Sequence, residues 1–410
     1  MISVSGIRGR VGFGLDPVVV ASYSAAFGAW ARASGASRAV VLGRDSRVTG
    51  PLFHGVARAA LESVGADVID LGLTTTPTLQ MAVEHHRAAG GLCITASHNP
   101  IEWNALKFIG PDGLFLSASA GAAMRAVLEQ GIPYARWDSL GSTTPDVAAI
   151  GRHLDAVLAL PYVDRAAIRA RKFRVAYDAC RGAGGAIIPE LLDRLGCDMR
   201  AINTETDGRF PRPPEPVPEN LGHLERLVRE TGADVGFATY PDVDRLALVS
   251  DEGKAIGEDY TLAFACRVVL RHRKGHVVAN LSTSQVVDDA VRAAGQTLIH
   301  APVGERSNTR RNRNQLGQAG VERIGDGRNE QKTNRDDDPD QSRRDLKSTQ
   351  PSQSSRLPGL PQVECRDRIH DRQRDIVRPQ EGADLIEKFV QRNMSVPASL
   401  ARTHAGSRAH

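Results

Sequence analysis

Up to about residue 300 the chain alternates short apolar runs with longer stretches whose apolar residues recur every three or four positions, the pattern of strands and helices in layers. Ala39-Val40-Val41-Leu42 predicts a buried strand running into Gly43-Arg44-Asp45, and Phe53 to Val64 predicts the helix after it. Ala66 to Gly72 and Gly91 to Thr95 predict two more strands. The pattern restarts at Phe173 to Asp178, turns through Gly182-Ala183-Gly184-Gly185 into a helix, continues at Asp234 to Ala238, and starts again at His276 to Leu281. This order predicts consecutive α/β domains on mainly parallel, mixed sheets. A helical stretch from about 146 to 171 and the segment around 253–260 are the expected boundaries. They divide the chain into domains at 1–150 and 151–256 and the start of a third, incomplete one at 257–305.

Beyond Glu305 the pattern stops. Asn329 to Ser355 is almost wholly polar, and Phe389 is the one aromatic residue of 306–410. Such a composition cannot bury enough apolar area to offset chain entropy, so the reading expects a disordered tail. Because the break falls inside a half-built α/β unit, a shift of reading frame near codon 305 is preferred to a natural tail.

Charge changes the picture in one respect. The chain has 52 Lys+Arg and 48 Asp+Glu, of which 21 and 15 lie in 306–410. That leaves 31 basic and 33 acidic residues in 1–305, so the excess positive charge belongs to the tail. The tail mixes in Asp336-Asp337-Asp338 and lacks interleaved aromatics for base stacking, so no nucleic-acid partner is expected. No apolar run approaches the roughly 20 residues of a membrane span. No signal-peptide pattern opens the chain, and the five cysteines show no C-x-x-C spacing. A cytoplasmic protein without a membrane partner is the expectation.

Candidate chemistry sits where predicted strands end. Thr95-Ala96-Ser97-His98-Asn99-Pro100 follows an apolar strand, which exposes Ser97 at the mouth of an α/β sheet. An ordinary strand-to-loop turn fits the hexapeptide equally well. Ser97 has no G-x-S-x-G elbow around it, which argues against a serine hydrolase. In Tyr240-Pro241-Asp242-Val243-Asp244-Arg245, Asp242 and Asp244 can turn toward one hard cation that keeps a phosphate oxygen in its shell, and Arg245 can meet phosphate. Asp-x-Asp alone is also a common plain turn. Gly6-Ile7-Arg8-Gly9 offers Arg8 as a bidentate phosphate clamp. Gly43-Arg44-Asp45-Ser46-Arg47 and Asn104-Ala105-Leu106-Lys107-Phe108 read equally well as polar surface around core strands.

In this order, with Thr74-Thr75-Thr76-Pro77-Thr78 and Trp103-Asn104 between them, these motifs resemble the signature of the α-D-phosphohexomutases, the family of phosphoglucosamine mutase and phosphomannomutase/phosphoglucomutase. Phe210-Pro211-Arg212-Pro213-Pro214-Glu215-Pro216 and Glu219-Asn220-Leu221 resemble its second domain, and the likeness runs from residue 2 to about 305. The resemblance implies an isomerase that moves a phosphoryl group between C6 and C1 of a hexose phosphate through a phosphoserine and a hexose bisphosphate. Glucosamine phosphate is the expected substrate, with mannose or glucose phosphate as alternatives. It implies Ser97 as the phosphoserine, and Mg²⁺ on the Ser97 phosphate, Asp242 and Asp244. Lys107 and His98 are implied as proton-transfer groups, and Arg8, Arg44 and Arg245 as phosphate-binding or site-ordering groups.

Three departures accompany the resemblance. Tyr240 stands where the family's first metal aspartate is expected, and Arg181 stands where a second-domain turn carries asparagine. Nothing in 306–410 resembles the family's sugar-recognising loop or its fourth-domain phosphate loop. An inactive, truncated remnant is therefore the alternative reading.

Overall fold

The computed structural model describes residues 2–301, apart from 4–5 and 35–36. The expectations placed on 306–410, a disordered tail and a frame shift, lie outside the described residues.

The first α/β layer comprises β1 (Ile2–Ser3), β2 (Gly6–Val11), β3 (Gly14–Leu15), α1 (Pro17–Ser34), β4 (Ala39–Arg44), α2 (Gly50–Ser63), β5 (Asp67–Leu73), α3 (Thr76–His85), β6 (Gly90–Ile94), β7 (Trp103–Ile109), α4 (Ala118–Gln130) and β8 (Thr143–Pro145). Its sheet runs β1-β2-β7-β6-β4-β5-β8, with β3 paired to β2. β6, β4, β5 and β8 are parallel, while β7 is antiparallel to both β6 and β2. Alternation along β4 builds two cores. Val40 and Leu42 pack with Val20 and Phe27 of α1 and Phe53 and Leu61 of α2, while Val41 faces Leu79 and Val83 of α3. β6 repeats this, with Leu92 and Ile94 on one face and Cys93 on the other.

The second layer follows α5 (Ala149–Leu158) and α6 (Arg165–Arg171). It contains β9 (Arg174–Asp178), α7 (Gly184–Arg194), β10 (Asp198–Ile202), α8 (Gly222–Thr231), β11 (Val235–Thr239), β12 (Leu246–Val249) and β13 (Ala255–Gly257). Its sheet runs β10-β9-β11-β12-β13, parallel across β10, β9 and β11 and antiparallel beyond. A third group, α9 (Asp259–His272), β14 (Val277–Asn280), α10 (Gln285–Ala293) and β15 (Leu298–Ala301), contributes one parallel pair and a small core of Ala263, Cys266, Val287 and Val291.

The α/β class and the predicted strands are thus present. The segment 104–108, which also read as polar surface, is the buried strand β7. Among the described residues no helix is long and apolar enough to cross a membrane.

Candidate active site

Two loops leave the carboxyl ends of parallel strands and meet. One follows β6 and carries Ser97. The other follows β11 and carries Asp242 and Asp244. Strand ends of this kind gather ligand-binding groups because backbone and side chains there are free of the ladder.

The serine loop is tied down at every turn. Ser97 sits in the left-handed region at φ +49° and is almost fully buried. Its N–H donates to Thr95 Oγ1 at 3.0 Å, and the Thr95 hydroxyl donates to Asp45 Oδ2 at 2.6 Å. Arg47, fully buried, donates through Nη2 to the Ser97 and Asn99 carbonyls at 2.7 Å each. Its Nη1 donates to the Pro100 and Trp103 carbonyls at 2.8 Å each. Asp45 Oδ2 lies 3.3 Å from Arg47 Nε, and the Phe210 ring covers the guanidinium at 5.1 Å. A planar fork with fixed donors suits this task.

The carboxylate loop is a tight turn. Val243 N–H donates to the Tyr240 carbonyl at 3.0 Å, with Val243 at φ +60°. The Arg181 turn supports it from below. Ala183 N–H donates to the Pro241 carbonyl at 2.8 Å, and a Cβ on Gly182 would come within 2.6 Å of Pro241 Cα, so that position requires glycine. Thr76, the first residue of α3, reaches across to Asp242. Its N–H donates to the backbone carbonyl at 3.0 Å and its hydroxyl to Oδ2 at 2.7 Å.

Lys107 joins the two loops from β7. Its Nζ lies 2.7 Å from Asp242 Oδ2 and 3.4 Å from Asp244 Oδ2. Ser97 Oγ donates toward Asp244 Oδ1 at 3.3 Å. Burial alone would lower the Lys107 pKa, but the two carboxylates outweigh it and lift it above the usual lysine range. Burial likewise works to raise Asp242, and the Lys107 ammonium overrides it and holds the carboxyl down, at about 2. Asp244 is pushed up by burial and by Asp242 beside it. Asp242 Oδ1 is buried and has no hydrogen-bond partner among the described residues.

A cavity of about 240 Å³ opens above this cluster, lined by Arg8, Ser97, His98, Lys107, Phe115, Asp244 and Arg245 among others. Arg8 is held there by the Asn99 side chain, to which its Nη1 donates at 2.9 Å. Its strand lies close because Gly6, at φ +144°, meets the Leu106 carbonyl where a Cβ would stand only 2.0 Å away. Arg245 Nη2 donates to His98 Nδ1 at 3.1 Å. Since a guanidinium can only donate, the His98 proton sits on Nε2. Burial and the Arg245 charge hold His98 below its ordinary pKa.

Two sequence expectations are placed elsewhere. Arg44 does not line this cavity. Its Nη1 donates to the Asp45 carbonyl at 3.0 Å, and the residue that orders the serine loop is Arg47. Tyr240, at the position where a carboxylate was expected, donates its hydroxyl to Glu258 Oε2 at 2.7 Å. Its ring lies under the Arg245 guanidinium at 3.9 Å, and Arg245 Nη1 donates to Glu258 Oε1 at 3.1 Å. Arg47, Thr76, Asn99 and Glu258 were not singled out from the sequence. The first three stand inside the quoted motifs, so their signal was proximity. Glu258 had none. A larger hollow of about 480 Å³ beside α5 and α7 gathers no comparable set of groups.

Comparison with known proteins finds three successive matches along the chain. Residues 2–134, 151–253 and 257–337 match alpha/beta/alpha domains I, II and III of phosphoglucomutase/phosphomannomutase. A probable phosphoglucosamine mutase of Methanopyrus kandleri is 35% identical over 303 residues, covering 73% of this chain and 65% of that protein. A phosphoglucomutase/phosphomannomutase of Thermococcus kodakarensis is 35% identical over 304 residues, covering 73% and 66%. The chain thus spans about 65% of the length of the curated relatives it matches. The crystal structure of a phosphomannomutase-like protein of Thermus thermophilus superposes with a TM-score of 0.66 at 26% identity, over 74% of this chain and 69% of that one.

Proposed function

We propose that this chain, which over residues 2–337 belongs to the phosphoglucomutase/phosphomannomutase family, carries the phosphoserine site of a cytoplasmic phosphosugar mutase, with Ser97 taking and returning the phosphoryl group of a hexose phosphate. The observation that carries the reading is Ser97 Oγ, buried in a clamped left-handed turn and 3.3 Å from Asp244, at the floor of a cavity walled by Arg8, His98, Lys107 and Arg245.

The residues present fit a hard divalent cation. Asp242 Oδ1 is a buried, unpartnered carboxylate oxygen beside a second carboxylate and the serine, which is the all-oxygen set Mg²⁺ takes with a phosphate. Asp242, Asp244 and phosphorylated Ser97 would hold it. When bound, Mg²⁺ neutralises charge on the transferring phosphoryl group.

The protein's own groups account for the rest. Arg8 and Arg245 meet the phosphate oxygens. As Ser97 Oγ bonds to phosphorus and the phosphorus–oxygen bond to the sugar breaks, the serine proton passes to the Asp244 carboxylate, which lies 3.3 Å from Ser97 Oγ. The sugar oxygen takes a proton from the Lys107 ammonium, while His98, whose proton sits on Nε2, donates a hydrogen bond to the sugar. The reverse step returns these protons. Glucosamine phosphate is the proposed substrate, with mannose and glucose phosphates next.

The test is a half-reaction. The 410-residue chain is incubated with ³²P-labelled hexose bisphosphate, and the labelled peptide is identified by mass spectrometry. Label confined to the Ser97 peptide, and absent from Ser97→Ala, is expected. Undiminished labelling of the alanine variant would sink the assignment.

A further inference from the structure

The carboxylate pair already has a cation. Lys107 Nζ bridges Asp242 and Asp244 at 2.7 and 3.4 Å, in the space between the two groups that a divalent ion needs. We infer that in this chain a divalent ion enters the carboxylate pair only by displacing Lys107, so that ion loading is coupled to phosphorylation of Ser97. The coupling rests on the phosphoserine reading above. The competition with Lys107 does not.

The argument is one of charge in a poorly hydrated place. Asp242 is wholly buried and the Lys107 side chain is 15% exposed, so charges on these two are weakly screened, whereas Asp244, at 28%, meets solvent on one side. Two carboxylates and one ammonium leave one negative charge. A divalent ion added beside the ammonium turns the cluster positive, with Arg8 and Arg245 on the same cavity. A carboxylate at position 240 would restore the balance, but the chain has Tyr240 there. Its hydroxyl is committed to Glu258 as a donor at 2.7 Å, so it contributes no negative charge to the pair.

Phosphorylation of Ser97 supplies what Tyr240 does not. A phosphoserine brings roughly 1.5 to 2 negative charges and three acceptor oxygens. It would stand on Ser97 Oγ, 3.3 Å from Asp244. The ammonium then gains an alternative partner, the balance becomes negative with the ion in place, and Asp242 Oδ1 remains free to bind it. The unphosphorylated chain keeps its internal cation, and the phosphorylated chain exchanges it.

Mn²⁺ binding to the full 410-residue chain, followed by electron paramagnetic resonance of the free ion, tests this without reference to turnover. Unphosphorylated wild type is compared with unphosphorylated Lys107→Met. Lys107→Gln, which keeps a donor toward Asp242, serves if the methionine variant does not fold. Removal of the ammonium should tighten Mn²⁺ at least about tenfold. Phosphorylation of the wild type should tighten it by a similar factor, and should have less effect in the Lys107 variants. Equal affinity of wild type and both Lys107 variants in the unphosphorylated state overturns the inference. If the bisphosphate leaves Ser97 unlabelled, the phosphoserine reading fails, and the unphosphorylated comparison still decides whether Lys107 competes.

Discussion

The serine loop at 95–100 and the carboxylate loop at 240–245 serve one site and are built on opposite plans. In the first, four carbonyls, a carboxylate and an aromatic face converge on the fully buried Arg47, and the Ser97 N–H is answered by Thr95. In the second, a buried carboxylate oxygen has no partner, a β-branched residue sits at positive φ, and a lysine from another strand spans the two acids. Under the proposed function the contrast has a reason: a nucleophile presented in one geometry is served by permanent internal bonds, and a loop that receives an exchangeable ion by an open ligand position.

The comparison breaks most visibly at Arg47. Arg47→Met removes the donor to four carbonyls and leaves Asp45 as a buried carboxylate without its cation. Loss of one partner from a buried pair costs roughly 3–5 kcal/mol. Chemical denaturation should show a loss of that size. A loss under about 1 kcal/mol, the range of an exposed pair, would mean that the loop does not depend on this clamp.

Thr76→Val is the corresponding change in the other loop. It keeps the shape of the side chain and removes the hydroxyl that donates to Asp242 Oδ2 at 2.7 Å. A buried acceptor that loses a donor costs roughly 1–3 kcal/mol. Hydrogen exchange should rise across 240–245 and stay unchanged across 95–100. Exchange rising equally in both would show that the two loops open as one unit.

How much of this was legible in the sequence follows from the same contrast. β5, which is mostly half-buried, was located by its alternation of apolar residues with Asp67 and Asp70. Apolar runs located β4, β6, β9 and β11, because strands buried largely on both faces carry little else. They missed β7, where Asn104 and Lys107 interrupt the run. Asn104 is buried and donates to Thr49 at 2.9 Å, while Lys107 is drawn inward by the two aspartates, so both polar residues sit in a buried strand for reasons that lie in other elements. Ser97, Asp242 and Asp244 were legible because short-range turn chemistry places them at strand ends. Arg44 was chosen over Arg47 because the two stand in one motif, and only the third dimension shows which side chain turns under the serine loop. The Tyr240 to Glu258 bond joins residues 18 apart through a ring conformation, and no local pattern announces it.

A carboxylate remote from both loops provides a control for pH. Asp146 lies 2.8 Å from His86 Nε2 and pairs with Arg152. Burial alone would raise its carboxyl, but hydrogen bonds from Arg152 and His86 outweigh this and hold it down, at about 2. A depressed carboxylate contributes stability above its unfolded pKa of about 3.9 and loses it as pH falls through the folded value. Asp146→Asn should therefore flatten the loss of stability between roughly pH 4 and pH 2, measured by urea denaturation at fixed pH, and leave Mn²⁺ affinity unchanged. A change in Mn²⁺ affinity would show that structural carboxylates far from the loops also tune the ion site.

The smallest effect expected is at Val243, where the carboxylate loop stores strain. A β-branched residue in the left-handed conformation is a genuine outlier, and holding one there costs on the order of 1–3 kcal/mol. The φ of +60° closes the turn that sends Asp242 toward Thr76 and Lys107 while Asp244 faces Ser97. Asparagine tolerates this region better than valine and keeps a Cβ. Val243 is only half buried, so part of the relief is offset by lost contact. Val243→Asn should raise stability by roughly 0.5–1 kcal/mol, the scale of a single backbone accommodation, with Mn²⁺ affinity within about twofold of wild type. Ser97, at φ +49°, carries a comparable backbone conformation that Arg47 and Thr95 hold from several sides, so the same relief is not available in the serine loop. If Val243→Asn is instead destabilising, contacts of the valine side chain, and not its backbone, set the geometry of the carboxylate loop, and the two loops are held by more similar means than their hydrogen bonds indicate.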